Sequence, residues 1–186
     1  KVVWRNVGNV PADLPRFIKR ADRLKKHLTD INADIICLSE CRDSDALDDL
    51  PALPINEFLS DLAGSRYEIY NQKGTATPND PKKGFYLSIL VDKTKLFVEK
   101  SFGVSISDSL FYPLVVGSDV TKSCFNRSLH CIKLYPLTKD FKICYKQPFY
   151  VVTTHLNIPK DNNFAETVWI NKNIERLTEG NPYVLL

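Results

Sequence analysis

At 186 residues, with 44% hydrophobic and 25% charged content, the chain matches one globular domain large enough to bury a core, not a disordered or fibrous segment. A net charge of +3 is compatible with an anionic substrate and far short of the basic coat of a surface built to wrap nucleic acid. No apolar run approaches the roughly 20 residues needed to span a bilayer, and the N-terminus shows no signal-type apolar core.

The pattern of the chain alternates. Lys1 to Val7 reads as a strand, followed by turn residues Gly8, Pro11 and Pro15. From Arg16 to Ile31, Phe17, Ala21, Leu24, Leu28 and Ile31 recur at three- and four-residue steps, predicting an amphipathic helix with Arg20, Arg23, Lys25 and Lys26 as its solvated face. Ile35 to Leu38 is continuously apolar, as in a strand covered on both faces, with Cys37 as a small core residue. A short helix is expected from Ile55 to Leu62. Strands follow at Tyr67 to Tyr70, Phe85 to Val91, Leu96 to Val104, Leu129 to Leu134 and Pro148 to Thr154, and the polar stretch Lys73 to Lys83 is expected to be a mobile loop. A last helix, from Phe164 to Leu177, presents Phe164, Val168, Ile170, Ile174 and Leu177 to the core and stops at Gly180 and Pro182, before a final strand, Tyr183 to Leu186. The expected architecture is α/β, sheets with helices packed outside them. Cysteines stand at 37, 41, 124, 131 and 144, an odd number without Cys-x-x-Cys spacing, which indicates neither a zinc site nor a complete disulfide framework. That usage favours a reducing, intracellular compartment. The chain opens and closes inside strands and contains no methionine, so we expect it to be a piece of a longer protein.

Two strands end in chemistry. Ala33-Asp34-Ile35-Ile36-Cys37-Leu38-Ser39-Glu40 runs from apolar residues into a carboxylate, and Phe149-Tyr150-Val151-Val152-Thr153-Thr154-His155-Leu156 delivers an imidazole. A lone Glu after a strand is most often the first solvated residue of a loop, and a lone His a half-buried polar residue. If the two strands lie side by side and run the same way, Glu40 and His155 share one rim, with Asn6 as a third polar residue delivered to it. A hard divalent cation takes oxygen ligands, and Mg²⁺ uses one or two protein carboxylates while keeping waters and substrate oxygens. An imidazole beside it can hydrogen-bond a phosphoryl oxygen as charge builds, and an amide can orient substrate. The set points to phosphoryl hydrolysis.

These residues resemble the endonuclease/exonuclease/phosphatase superfamily. The resemblance is carried by Trp4-Arg5-Asn6-Val7, similar to a first strand ending in Trp-Asn-Val, and by Asp34-Ile35-Ile36-Cys37-Leu38-Ser39-Glu40, similar to an Asp-hydrophobic-Leu-Gln-Glu motif. Gly84 to Leu90, Asn126-Arg127-Ser128-Leu129, and Val152-Thr153-Thr154-His155-Leu156, similar to Asn-Thr-His-Leu, continue it in the same order. Arg5 intervenes between Trp4 and Asn6, and Ser39 stands where Gln is usual. The resemblance implies two packed mixed sheets flanked by helices in a four-layer sandwich, as a single incomplete domain over residues 1–186. It implies a metal-dependent phosphoesterase with Glu40 and Asn6 as ligands of Mg²⁺, or of Mn²⁺ in its place. His155, Glu40 and Asn6 are then the catalytic residues, with Arg127 and Asn157 binding substrate. In the family the final strand leads into Gly-Asp-Phe-Asn, and a later Ser-Asp-His supplies a second imidazole. This chain ends before either, so as it stands it is expected to be inactive or nearly so. RNA or DNA is the first substrate class, with phospholipid or inositol phosphate as the alternative. A non-catalytic protein- or RNA-binding module that keeps the fold is a further reading.

Overall fold

The computed structural model describes residues 17–42, 55–77, 80–106, 126–156 and 160–186. In chain order these form α1 (Phe17–Ile31), β1 (Ile35–Arg42), α2 (Ile55–Ala63), β2 (Tyr67–Thr77), β3 (Asp80–Asp92), β4 (Leu96–Ser105), β5 (Asn126–Pro136), β6 (Phe149–Thr154), α3 (Lys160–Leu177) and β7 (Tyr183–Leu185). The expected strand Lys1 to Val7 lies outside the described residues. Strands β1, β3 and β2 pair antiparallel in one sheet. The other runs β4, β5, β6, β7, antiparallel except for the parallel β6–β7 pair. The two are joined where the first residues of β5 pair with β2, Thr75 with Arg127 and Ala76 with Asn126.

Side-chain alternation divides the apolar residues among three cores. On one face of the first sheet, Ile36, Leu38, Tyr67, Ile69 and Leu90 pack against Phe58, Leu59, Leu62 and Ala63 of α2 and Leu28 of α1. Its other face, with Ile35, Cys37, Tyr70, Ile89 and Val91, meets Ile132, Leu134, Phe149 and Val151 of the second sheet. The far face of the second sheet, with Leu129, Cys131, Tyr150 and Val152, is covered by Ala165, Trp169, Ile170 and Ile174 of α3. β4 contributes to two cores. A bulge between Val98 and Lys100 inserts one residue, so Leu96 and Val98 face the first sheet while Phe102 and Val104 face α3.

Several expectations need correction. β1 runs past Glu40 to Arg42, so Glu40 lies within the strand and not at its exit. The stretch Lys73 to Lys83 is no loop along its described length. β2 and β3 continue through it as a hairpin arm, because ladder pairing requires only backbone groups and polar side chains do not oppose it. Phe164 is 65% exposed, and Trp169 takes the place foreseen for it. The buried stripe on α3 is Ala165, Trp169 and its neighbours at three- and four-residue steps, and a residue one position earlier is turned about 100° away. On α1 the core face is narrower than its periodicity indicates, since Leu24 is exposed.

Two polar clusters pin element ends far from the rim described below. The buried Asp92 carboxylate accepts from Arg66 Nε at 2.7 Å and from Thr94 N and Oγ1 at 3.0 and 2.6 Å. Burial alone would raise its pKa, but these bonds together outweigh it and hold the carboxyl below its usual range. At the end of α3, Glu179 reaches Lys100 and, at 2.9 Å, Lys133. Those partners bring its carboxyl down to about 2.

A buried polar contact adds to the β2–β5 pairing in tying the two sheets together. His130, on β5 and 1% exposed, bonds Leu87 O of β3 at 3.1 Å through Nδ1 and Ser101 Oγ of β4 at 2.8 Å through Nε2. A carbonyl can only accept, so the proton sits on Nδ1 and Nε2 accepts from the serine hydroxyl. Burial pushes this imidazole down to about 4, against the Leu87 bond, which favours the charged form. An unfolded-chain imidazole titrates near 6.5, so the unfolded state binds the extra proton first as pH falls. Stability should therefore be full well above about pH 6.5 and drop by on the order of 3 kcal/mol towards pH 4. Urea unfolding against pH, with His130→Gln as the titration-free control, measures this. An NMR titration placing His130 near its unfolded value would contradict it.

Candidate functional site

The strand directions converge on one rim. β1, β2, β4, β6 and β7 run towards it, β3 and β5 away from it, as their antiparallel and parallel pairings require. β1 and β6 are thus not neighbours in one sheet, as their sharing a rim was expected to require. They run the same way in facing sheets.

Register fixes the level at which each candidate residue stands. In β1, Leu38 pairs with Ser88 and Cys41 with Tyr86, so Ser39 and Glu40 together oppose Leu87 in a β-bulge. Bulges re-aim side chains and recur beside active sites, and this one falls on the carboxylate of the sequence motif. The side chain of Glu40 lies outside the described residues. Leu87 is the residue whose carbonyl receives the His130 bond from the facing sheet. His130 in turn pairs with Thr153 of β6, two residues before His155. A short chain of contacts therefore connects the bulge on one sheet to Thr153 on the other, two residues before the imidazole.

Below the rim the space between the sheets is apolar, at Ile132, Leu134 and Val151. One step higher it turns polar, with His130, Thr153 and Ser101. The hydroxyl of buried Thr153 has no hydrogen-bond partner among the described residues. At the rim, Arg127, the second residue of β5, is 4% exposed, and its Nη1 stands 3.2 Å from His155 Nδ1. Thr154 Oγ1 donates to Ser128 O at 3.2 Å, and Thr154 N donates to Leu186 O at 3.0 Å, so β7 also ends here.

The Arg127–His155 pair has a chemical consequence. A guanidinium carries only donors, so Nδ1 must be the acceptor, and the proton of the neutral ring is on Nε2. Arg127 is thereby a positioning residue for the imidazole, fixing both ring orientation and tautomer. The sequence motif flagged Arg127 as a positive charge near the site. Its contact with His155, 28 residues on, had no local signal.

Thus the structure brings together Arg127 and His155 at the rim, and places the backbone of Glu40 in the facing sheet level with the His130–Thr153 tier just below it. Asn6 and Asn157 lie outside the described residues. Among the described residues no three carboxylate, imidazole or thiol groups form a metal-binding cluster. Burial raises the Cys37 and Cys131 thiols to about 12, which keeps both in the un-ionised, poorly nucleophilic form. His130 was not singled out from the sequence, though a histidine inside the apolar run Leu129 to Leu134 is a usable signal.

No protein-family model and no curated protein matches the chain by sequence. Solved structures do. A conserved protein of unknown function from Enterococcus faecalis V583 superposes with a TM-score of 0.63 at 14% identity, covering 91% of this chain and 57% of that one. The endonuclease/exonuclease/phosphatase from Bacteroides vulgatus gives 0.63 at 19% identity, covering 91% and 56%. The human Nocturnin catalytic domain gives 0.59 at 14% identity, covering 93% and 57%. The fold is that of endonuclease/exonuclease/phosphatase superfamily members, and the chain spans little more than half the length of these matched structures.

Imidazole ¹⁵N NMR tests the geometry of the pair. At neutral pH His155 should appear as the Nε2–H tautomer, and Arg127→Met should let the Nδ1–H form appear beside it. A wild-type spectrum dominated by Nδ1–H would show that Arg127 does not hold the ring.

Proposed function

We propose that this chain is the larger part of a single, four-layer phosphoesterase domain whose first substrate class is a nucleic-acid phosphodiester. The observation that carries the reading is the rim itself: a buried arginine orienting His155, with the β1 bulge that contains Glu40 in the facing sheet level with Thr153, two residues before it. A carboxylate and an amide are a donor set suited to Mg²⁺, with Mn²⁺ able to replace it. Glu40 and Asn6 would hold the ion, which when bound supplies polarisation of a phosphoryl oxygen.

His155 donates Nε2–H to a phosphoryl oxygen as negative charge builds there, a role that requires the tautomer Arg127 selects. The resemblance gives Asn157 a contact with the same phosphate group. The next residues after Leu186, which is paired to Thr154, would arrive at this rim. That is where the resemblance calls for an aspartate beside the attacking water. Support for the substrate class comes from two further structures of this fold. One is ANGEL2, described as a 2′,3′-cyclic phosphatase, in complex with adenosine-2′,3′-vanadate, at a TM-score of 0.58. The other is zebrafish TDP2 with a single-strand DNA product, at 0.55. The basic face of α1 adds less than its sequence suggests, because Lys25 is paired to Asp61 and Lys26 to Asp30.

The test uses a longer chain that continues past Leu186, assayed with Mg²⁺ on a single-stranded oligonucleotide, a phospholipid and an inositol phosphate. Hydrolysis of the oligonucleotide should fall on the order of 100-fold or more in Glu40→Ala and in His155→Ala. Unchanged rates in either variant, with all three substrates, contradict the assignment.

A further inference from the structure

At the opposite end of the second sheet, the connection from β5 to β6 presents an aromatic side chain that the fold does not need. Residues 138–142 form a closed turn. Thr138 N donates to Lys142 O at 2.8 Å, Phe141 N to Thr138 O at 2.9 Å, and Lys142 N to Thr138 Oγ1 at 3.0 Å. At its tip Phe141 is 68% exposed and adopts a φ of 58°, in the left-handed region. A bulky residue there is an outlier, since glycine or asparagine takes this conformation without the clash. The turn thus bears both backbone strain and an exposed phenyl ring, and strain of this kind persists where a side chain serves a purpose outside the fold.

The surroundings give that purpose a sign. Lys139, Lys142 and Lys146 are exposed on the same connection, against one acid, Asp140. The neighbouring β3–β4 turn adds Lys93 and Lys95, exposed and held alongside by a 2.7 Å bond from Leu137 N to Lys95 O, with Lys95 paired to Asp34. Tyr145, 66% exposed, stands edge-on to Tyr135 with ring centroids 5.4 Å apart, which fixes it beside the tip.

We infer that this turn is a docking site for an anionic lipid bilayer, with Phe141 entering the interface, Tyr145 at the headgroup level and the lysines facing acidic headgroups. An apolar ring at a turn tip, a phenol beside it and long cations that can extend sideways are the parts of an interfacial anchor. Single-stranded nucleic acid would instead call for a groove with successive stacking faces, and here the Tyr145 ring is already engaged by Tyr135. One aromatic insertion and a few lysines make binding weak, reversible and dependent on acidic lipid. The turn and His155 lie at opposite ends of β6, about 20 Å apart along the strand. A chain docked here holds its rim away from the membrane, open to soluble substrates.

The experiment is sedimentation of the chain with vesicles of phosphatidylcholine alone and of phosphatidylcholine containing phosphatidylserine. Binding is expected only with phosphatidylserine and should disappear at high salt. Phe141→Asn should weaken it by about ten-fold or more while leaving the melting temperature equal or higher, because asparagine relieves the strain. A combined Lys139→Gln, Lys142→Gln and Lys146→Gln variant should also lose it. Equal binding to both vesicle types, no binding to either, or binding of a single-stranded oligonucleotide through Phe141 in place of vesicles would each overturn the proposal.

Discussion

The hydrogen bond from His130 Nδ1 to the Leu87 carbonyl is the constraint on which the rest of this molecule depends. Away from the short β2–β5 pairing the sheets meet through apolar contacts, Ile89 and Val91 against Ile132 and Val151, which carry little directional penalty for sliding. A buried, directional bond with a fixed tautomer cannot be made in a shifted register, and losing it would leave a polar group unsatisfied in the interior. It sets Leu87, opposite the β1 bulge, level with β6 just before His155. The same bond that registers the sheets therefore aligns the two halves of the candidate site.

The site is assembled from the fold in layers. Apolar residues fill the space between the sheets at mid-height, a polar tier of His130, Thr153 and Ser101 follows, and Arg127 and His155 occupy the rim. Such a gradient lets ionisable side chains stand on well-packed strands without being desolvated completely. Arg127 is the exception, nearly buried, and it is the residue whose charge is spent on orienting another side chain. The far end of the sandwich is built differently, with the Arg66–Asp92 pair and the Glu179–lysine cluster fastening element ends.

Local pattern revealed most elements and little of their arrangement. The apolar run ending at Glu40 and the β-rich run ending at His155 were legible because buried strands exclude charge until they reach a rim. What lay beyond reach was non-local. Nothing near Glu40 signals that β1 continues to Arg42 or that a bulge falls on the carboxylate, since both follow from pairing with β3. The polar arm of β2 and β3 is stabilised by backbone bonds that hydropathy does not register. Phe164 shows the limit of periodicity at a helix start, where one residue of phase decides between core and solvent. Arg127 and His155 meet only because β5 and β6 pair.

The central claim is that the facing sheets bring Glu40 and His155 to one cation-binding rim. The most direct measurement is paramagnetic broadening of the His155 imidazole resonances by Mn²⁺, with Glu40→Gln as the control. The account predicts selective broadening of His155 over His27 that Glu40→Gln abolishes. Broadening that leaves His155 sharp, or that survives loss of the carboxylate unchanged, would contradict it.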